Sequence, residues 1–292
     1  MMPGRHDPPA WSLARQVKQR VKPFYLRGQR LMARTFFSYS PDALEAAIRS
    51  LGIGAGDSVL VHSGFRPTSG FTAMPADVIE SMLRVVGADG HLLMMSIPYR
   101  GSSRRYAESN PVFDVMRTPS AVGLLSEIFR RRGDVRRSLN PLHPIVVHGP
   151  LAAWLVADHE KSAHSCGKGT PFERFLNLDG KFLFFDAAYT SLTFMHYVEH
   201  MFRHRLPVNL YETDAVSIRV RDADGHELMV RQFVFSDAAR DRRNFAPIEA
   251  QLRHDGFLRT ARVGNARLLS VTARQVVDCA ARLIDRGTGF YS

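Results

Sequence analysis

The chain alternates between short continuous apolar runs and longer stretches whose apolar residues recur every three or four positions. The short runs predict buried strands, at 58–62, 92–97, 145–147 and 181–185. The longer stretches predict amphipathic helices, which begin at Pro41, Pro75, Thr118, Pro171 and Ser191. This alternation indicates a layered sheet with helices on both faces.

The last third of the chain adds hairpin signals. Asp224-Gly225 separates the β-rich runs 215–220 and 227–235, and this dipeptide favours a tight turn between antiparallel strands. Two more short strands are predicted at 258–263 and 267–271. The predicted fold is therefore α/β, a three-layer α/β/α sandwich around a mixed central sheet, with C-terminal hairpin elements.

Positive charge is concentrated at the start of the chain. The 292 residues carry a net charge of +11, and residues 1–40 hold eight Lys or Arg against Asp7, which gives 8 − 1 = +7. We predict a basic N-terminal extension over 1–38 and a single domain over 39–292. The extension is expected to be solvated and partly helical, with contact to an anionic membrane surface or a protein partner as the alternative. No nucleic-acid-binding module accompanies it.

Composition limits the class of protein and its location. An apolar fraction of 45% and a charged fraction of 23% are ordinary for a globular protein. No apolar run reaches the roughly 18 residues of a membrane span, and residues 1–11 lack the apolar core of a secretory signal. Since Cys166 and Cys279 are too few for a disulfide framework, we expect a cytoplasmic protein.

His196, Glu199 and His200 would share one face of a helix, because they are three and four positions apart. One interpretation is a histidine base oriented by a carboxylate, which can take a proton from an amine. Another is the H-x-x-E-H arrangement of inverted zinc peptidases, in which both histidines hold zinc and the glutamate activates water. A third is structural, with one histidine bonded to nearby backbone and the others at the surface.

Two predicted helix starts combine a hydroxyl residue with proline, and N–H groups at a helix start attract anions. They are Thr118-Pro119-Ser120, preceded by Arg117, and Thr170-Pro171, where Glu173 completes a capping box. A phosphorylated cofactor would suit both sites, and both are also ordinary helix caps. The chain lacks the G-x-S-x-G motif of serine hydrolases and a glycine-rich dinucleotide motif.

Five segments, taken in order, resemble the aminoglycoside 3-N-acetyltransferase family. They follow the family's order and spacing across roughly residues 41–255. The segments are Gly56–Ser63, Phe113-Asp114 with Arg117–Gly123, Arg137–Pro144, Cys166–Arg174 and Thr193–His200.

The resemblance implies an α/β sandwich in which acetyl-CoA, as co-substrate, donates acetyl to an amine of an aminoglycoside or related amino sugar, without a metal. It implies that His196 is the catalytic histidine, that Asp237 is an acidic catalytic residue, and that Glu108 lies where members contact the aminoglycoside. The implied cofactor-binding surface, to which we add Arg117, consists of His62, Ser63, Thr118, Pro119, Ser120, Thr170 and Pro171.

In such a reaction a histidine with a pKa near neutrality removes a proton from the amine, whose nitrogen then attacks the thioester. Glu199 would orient the imidazole, and Thr193 is a candidate hydrogen-bond donor to the thioester oxygen. Transfer would be direct, with no covalent acyl-enzyme.

The sequence is compatible with more than one class of acceptor. Aminoglycosides are polycations, and an enzyme for them should present acidic surfaces, whereas this chain is basic. An amino sugar carried on a nucleotide or on a surface polysaccharide is therefore an alternative acceptor. A non-catalytic binding protein is a further alternative, against which intact His62, Thr118, His196 and Glu199 argue.

Overall fold

The computed structural model describes residues 28, 31–33, 35–66 and 68–291. The strands are β1 Ser58–Ser63, β2 His91–Met95, β3 Val112–Asp114, β4 Arg136–Arg137, β5 Ile145–His148, β6 Lys181–Phe185, β7 Tyr211–Arg221, β8 Glu227–Phe235, β9 Arg259–Val263 and β10 Ala266–Thr272. The α-helices are α1 Pro41–Ser50, α2 Pro75–Val86, α3 Ser103–Glu108, α4 Leu124–Arg130, α5 Ala152–Val156, α6 Pro171–Asn177, α7 Met195–Phe202, α8 Asp237–Arg242, α9 Ala246–His254 and α10 Ala273–Asp285. Residues 28, 31–33, 35 and 36 are also helical.

A seven-stranded mixed sheet forms the central layer, with strand order β4-β5-β2-β1-β6-β10-β9. Strand β1 pairs in parallel with both β2 and β6, while the remaining pairs in this sheet are antiparallel. The carboxyl ends of β1, β2 and β6 therefore meet at one edge of the sheet, the edge at which open α/β sheets bind ligands. The predicted mixed α/β sheet is confirmed.

Both faces of this sheet are buried, because successive side chains of β1 point to opposite sides. Leu60 lies in a core cluster with Phe184 on one face, whereas Val59 and Val61 lie in a second cluster on the other. Helices α6, α7 and α10 contribute to the first cluster, and α1, α2 and α4 to the second. This arrangement gives the predicted three layers.

The hairpin predicted around Asp224-Gly225 is confirmed, and it belongs to a second, three-stranded sheet of order β3-β7-β8. Gly225 has a φ of +90°, a left-handed conformation that glycine adopts without steric cost. The other predicted hairpin, β9 with β10, instead extends the main sheet. The hairpin elements are therefore divided between two sheets.

The helix predicted to begin at Thr118 begins instead at Leu124. Oγ1 of Thr118 accepts a hydrogen bond from the backbone N–H of Asp114, and the Asp114 carboxylate accepts two from the backbone N–H groups that follow it. These bonds hold residues 114–118 as a turn, so the predicted start was wrong. Ahead of this turn, the short helix α3 lies within the polar stretch 98–110.

No α-helix among the described residues is long and apolar enough to cross a membrane. Most of the predicted basic extension, residues 1–38, lies outside the described residues. The proposed domain boundaries therefore stay a prediction.

Candidate active site

Helix α7 carries the predicted catalytic histidine. Phe194, fully buried just before the helix, packs against Phe175 and Phe182 with ring centroids 6.3 and 5.1 Å apart. Val198 is also fully buried in the core. The packing fixes the start of the helix and leaves the His196 side chain 21% exposed.

His196 begins a chain of hydrogen bonds that continues into the core. Its Nδ1 atom lies 2.8 Å from Oε2 of Glu199, whose side chain is fully buried. The other carboxylate oxygen accepts a hydrogen bond from Nε of Arg243 at 2.7 Å and one from the hydroxyl of Tyr291. The carboxylate favours the tautomer with the proton on Nδ1, which leaves Nε2 able to accept one.

Electrostatics in this network favour an ionised Glu199 beside a neutral imidazole. Burial lowers the pKa of His196 and the charge of Arg243 lowers it further, so the pKa stays below its ordinary value despite the hydrogen bond and charge of Glu199. Burial raises the pKa of Glu199, but the hydrogen bonds and charges of His196 and Arg243 outweigh it, and the pKa lies below its ordinary value. His196 can therefore act as a base at neutral pH.

His143 borders the base, although the sequence pattern assigned it no role. Its ring meets that of His196 edge to face, with centroids 5.6 Å apart, and the ring of Phe235 lies 4.7 Å from that of His196. Nδ1 of His143 is 2.7 Å from Oγ of Ser165. Burial, with neighbouring His196, holds the pKa of His143 well below its ordinary value. A second neutral ring therefore packs against the base.

A cleft of about 420 Å³ opens beside His196, and we call it the His196 cleft. Its lining consists of Thr190, Ser191, Leu192, Thr193, His196, Arg240, Arg243, Asn244, Phe245 and Ala246. The charged members are two arginines, with no carboxylate among the lining residues. Both arginines are also paired with carboxylates outside the lining, Arg240 with Asp237 and Arg243 with Glu199. The wall of the cleft therefore offers guanidinium groups to a ligand but no carboxylate.

A second space, the His62 cavity of about 150 Å³, includes His62 and Ser63 in its lining. Ser191 and Thr193 line both this cavity and the His196 cleft. The Nε2 atom of His62 is buried without a hydrogen-bond partner in the described chain. Thr193 therefore stands where two spaces adjoin.

A third space, a groove of about 1000 Å³, is lined by residues that include Arg66, Arg262 and Arg267. Ala187 lines both this groove and the His62 cavity. Residues 186–193, which follow β6, therefore border all three spaces.

The predicted cofactor residues 117–120 lie in the turn before α4 and outside these three linings. Arg117 and Pro119 are exposed. Arg137 holds the turn through hydrogen bonds from its guanidinium to two backbone oxygens at 3.2 and 2.7 Å. Val122, which follows this turn, lines the His62 cavity. Residues 117–120 are therefore a few positions along the chain from a residue that lines the cavity.

Thr170 and Pro171 are buried, and neither lines any of the three spaces. Oγ1 of Thr170 donates to the backbone oxygen of Gly167, while Glu173 accepts from the N–H of Gly169 at 2.7 Å. The predicted capping box is therefore wrong, because the glutamate reaches a different N–H. The burial also leaves neither predicted cofactor residue accessible to a ligand.

Asp237 and Glu108 are surface residues in ion pairs. Asp237 pairs with Arg240 at 2.7 Å, and the carboxylate bonded to the imidazole is Glu199 instead. Glu108 pairs with Arg104 at 2.8 Å, and its side chain is 55% exposed. A role for either in the reaction stays a prediction.

His196 and His200 do not converge on a common metal position. Nδ1 of His200 bonds to the hydroxyl of Tyr211 at 2.8 Å, while Nδ1 of His196 bonds to Glu199. In the described part of the chain, the one group of ligand-type side chains close enough together to hold a metal ion lies elsewhere, in the β7–β8 turn: Asp222, Asp224 and His226. The geometry gives the zinc-peptidase interpretation no support.

Buried histidines make the stability of this fold depend on pH. Burial lowers the pKa of His62 to about 4 and that of His159 to about 4. In the unfolded chain both titrate near about pH 6.5, so between these values the unfolded state binds more protons and stability falls as pH falls. We expect urea unfolding to give a free energy of unfolding that is lower at pH 5 than at pH 7, by about 2 kcal/mol for each of these two histidines.

Two variants test the source of this pH dependence. His62→Gln should remove its share of the difference, whereas His226→Gln, which changes an exposed residue, should leave it unchanged. Equal stability of the unsubstituted protein at pH 5 and pH 7 would contradict the assignment.

The fold is shared with solved aminoglycoside acetyltransferases. AAC-IIIb in its binary complex with CoASH superposes with a TM-score of 0.71 at 21% identity, covering 87% of this chain and 99% of that one. AAC-VIa bound to sisomicin superposes with a TM-score of 0.69 at 24% identity, covering 86% and 98%. The chain therefore has the α/β fold of these proteins.

The sequence comparison defines the family. Residues 60–285, more than half of the chain, match the family model described as aminoglycoside 3-N-acetyltransferase, and the chain belongs to this family. Aminoglycoside N(3)-acetyltransferase III of Acinetobacter baumannii is 31% identical over 169 residues, which are 54% of this chain and 59% of the relative. The chain thus spans less than two thirds of the length of the curated relatives it matches first.

Proposed function

We propose that this protein transfers the acetyl group of acetyl-CoA to an amine of an amino sugar, with His196 as general base. The observation that carries the proposal is the bonded series His196, Glu199 and Arg243 at the wall of a cleft. Membership of an acetyltransferase family supports acyl transfer as the reaction. The complex of AAC-IIIb with CoASH supports acetyl-CoA as the donor.

The proposed reaction moves one acetyl group and one proton. The neutral amine nitrogen attacks the carbonyl carbon of the thioester, and Nε2 of His196 accepts the proton that the nitrogen loses. Glu199 stabilises the resulting imidazolium. The proton then passes to the sulfur as the carbon–sulfur bond breaks, so the products are an amide and the CoA thiol. Detection of a stable acetylated protein by mass spectrometry would contradict direct transfer.

Thr193 suits the role of donor to the thioester oxygen, which gains negative charge during attack. It lines both the His62 cavity and the His196 cleft, so it stands where a thioester and an amine could meet. We assign the thioester arm to the His62 cavity and the acceptor to the His196 cleft. The exposed Arg117 offers positive charge for the phosphates of CoA. The use of acetyl-CoA, together with two free thiols, supports a cytoplasmic location.

The cleft favours a second candidate acceptor, an amino sugar that carries a phosphate or carboxylate. Two arginines and no carboxylate line the His196 cleft, whereas a polycationic acceptor calls for carboxylates. An amino sugar linked to a nucleotide or to a surface polysaccharide has the matching charge. In favour of an aminoglycoside stands the sisomicin complex of AAC-VIa.

Release of CoA thiol with two acceptors separates these candidates. We expect kcat/KM for a nucleotide-linked amino sugar to exceed that for sisomicin by about tenfold or more, because of the arginine lining. Arg240→Gln should lower the first value by about tenfold and not the second. Arg231→Gln, on the exposed side of β8, is the matched control and should change neither.

Each other result has a definite meaning. The reverse order of kcat/KM values would identify aminoglycosides as the acceptors. Absence of thiol release with both acceptors would contradict both versions of the proposal.

A further inference from the structure

The groove of about 1000 Å³ carries more positive than negative charge, and we call it the arginine groove. A guanidinium nitrogen of Arg66 lies 3.4 Å from a carboxylate oxygen of Asp186, and one of Arg253 lies 2.7 Å from Glu249. These two pairs use both carboxylates of the lining. The other charged members are Arg262 and Arg267, so their charges have no counterpart in the groove.

These two arginines lie directly opposite each other. Arg262 of β9 and Arg267 of β10 are partners in the register of the antiparallel pair, so both side chains point to the same face of the sheet. Both are exposed, and neither side chain forms a hydrogen bond or an ion pair within the described residues. Like charges directly opposite on two strands destabilise the pair, and a bound anion would remove that repulsion.

The arginine pair points to the face of the main sheet on which the base lies. Leu268, next to Arg267, belongs to the core cluster of α1, α2 and α4, so Arg267 points to the other face. On that other face His62 stacks on Phe184, with ring centroids 5.3 Å apart. The same face is covered in part by α7, which carries His196.

The arginine groove adjoins the two spaces that we assign to the reactants. Ala187 lines both this groove and the His62 cavity. On α9, Ala246 lines the His196 cleft, while Glu249, three positions later and therefore on the same side of the helix, lines the groove. A ligand whose amine lies at His196 can thus extend its other end toward the groove.

The chemistry of the groove fits a nucleoside diphosphate. Each guanidinium presents a planar fork of N–H donors that matches phosphate oxygens. Thr260 and Asn265 in the same lining add a hydroxyl and an amide, which can bond to the polar groups of a nucleoside. The groove is also larger than the His196 cleft of about 420 Å³, so it has room for a larger part of a ligand than the amino sugar.

We propose that Arg262 and Arg267 bind the two phosphates of an acceptor in which the amino sugar is linked to a nucleoside diphosphate. The sugar amine would reach His196 while the phosphates lie between the two guanidinium groups. The assignment to the acceptor rests on the proposed acetyl transfer, whereas phosphate binding by the groove does not depend on it.

Calorimetric titration with UDP tests the phosphate site without turnover. We expect UDP to bind the unsubstituted protein, and to bind more weakly as salt is added. The double variant Arg262→Gln with Arg267→Gln should bind UDP about tenfold more weakly or worse, because its charged hydrogen bonds to phosphate are lost. The Tm of this variant should not fall, since the substitutions remove a repulsion between strands.

A matched control removes the same two charges from another hairpin. Arg219→Gln with Arg231→Gln changes two exposed arginines of β7 and β8, which line none of the three spaces. This control should bind UDP as the unsubstituted protein does.

A second measurement distinguishes the acceptor from the donor as the source of the phosphates. The variant Arg262→Gln with Arg267→Gln should raise KM for a UDP-linked amino sugar by about tenfold, and it should leave the dissociation constant of CoA unchanged. A tenfold weaker binding of CoA by this variant would instead place the phosphates of the donor in the groove and overturn the assignment to the acceptor.

Two further results would overturn the phosphate site itself. These are no binding of UDP by the unsubstituted protein, and undiminished binding by the variant Arg262→Gln with Arg267→Gln. Either would leave these arginines as charges that keep β9, the edge strand of the main sheet, from pairing with other chains. Binding of UDP at the groove without thiol release from any acceptor would keep the phosphate site and contradict the proposed acetyl transfer.

Discussion

The variant His196→Ala is expected to lower kcat by about a thousandfold, the range of a lost general base. The imidazole is the group whose Nε2 can take the proton from the attacking amine, because Nδ1 is bonded to Glu199 at 2.8 Å. Binding of CoA should be nearly unchanged, since the thioester arm is assigned to the His62 cavity. Steady-state rates of thiol release and calorimetric titration with CoA measure the two quantities separately.

The pH profile of the unsubstituted protein provides a second readout of this role. The pKa of His196 lies below its ordinary value of about 6.5, so kcat/KM should fall only as pH falls through that lowered value. The control His226→Ala removes an exposed histidine of the β7–β8 turn and should keep full turnover. Undiminished turnover of His196→Ala would remove His196 from the mechanism.

The variant Glu199→Gln should impair both turnover and folding. The neutral amide cannot stabilise the imidazolium, so kcat should fall by about a hundredfold or more. The change also leaves the guanidinium of Arg243 partly buried without its carboxylate, and breaking such a pair costs about 3 kcal/mol or more of unfolding free energy. Urea unfolding and steady-state kinetics measure the two effects.

A matched substitution at an exposed carboxylate separates the effect of losing one negative charge from the effect of losing the buried contacts of Glu199. Glu227→Gln removes an exposed partner of Arg221 in the hairpin, and such pairs contribute about 0–1 kcal/mol. It should therefore change neither stability nor rate appreciably. If Glu199→Gln behaved like Glu227→Gln, the buried hydrogen bonds of Glu199 would have no part in catalysis.

The sequence predicted those elements whose signals are local. Strand β6 occupies its predicted positions, because a continuous apolar run fits a strand buried on both faces. The turn at Asp224-Gly225 is likewise encoded in two adjacent residues. Within the site, His196 and Glu199 were paired correctly, because a helix brings residues three apart together.

The remaining site features depend on contacts between distant parts of the chain. Arg243 and Tyr291 reach Glu199 from 44 and 92 positions away, and no spacing rule connects them. Thr170 was interpreted as a helix cap and a cofactor-binding residue, yet tertiary packing buries it. The helix start predicted at Thr118 was wrong because the carboxylate of Asp114 accepts hydrogen bonds from the backbone N–H groups that follow it and so holds this stretch as a turn.

The stretch 186–193 borders all three spaces, and this shared wall bears on the thermodynamics of ligand association. A first ligand that orders the stretch has already met the entropic cost that a second ligand would otherwise face. Occupancy of one space should then change the affinity of the next. Such linkage is reciprocal. The factor by which the bound donor changes the dissociation constant of the acceptor equals the factor by which the bound acceptor changes that of the donor.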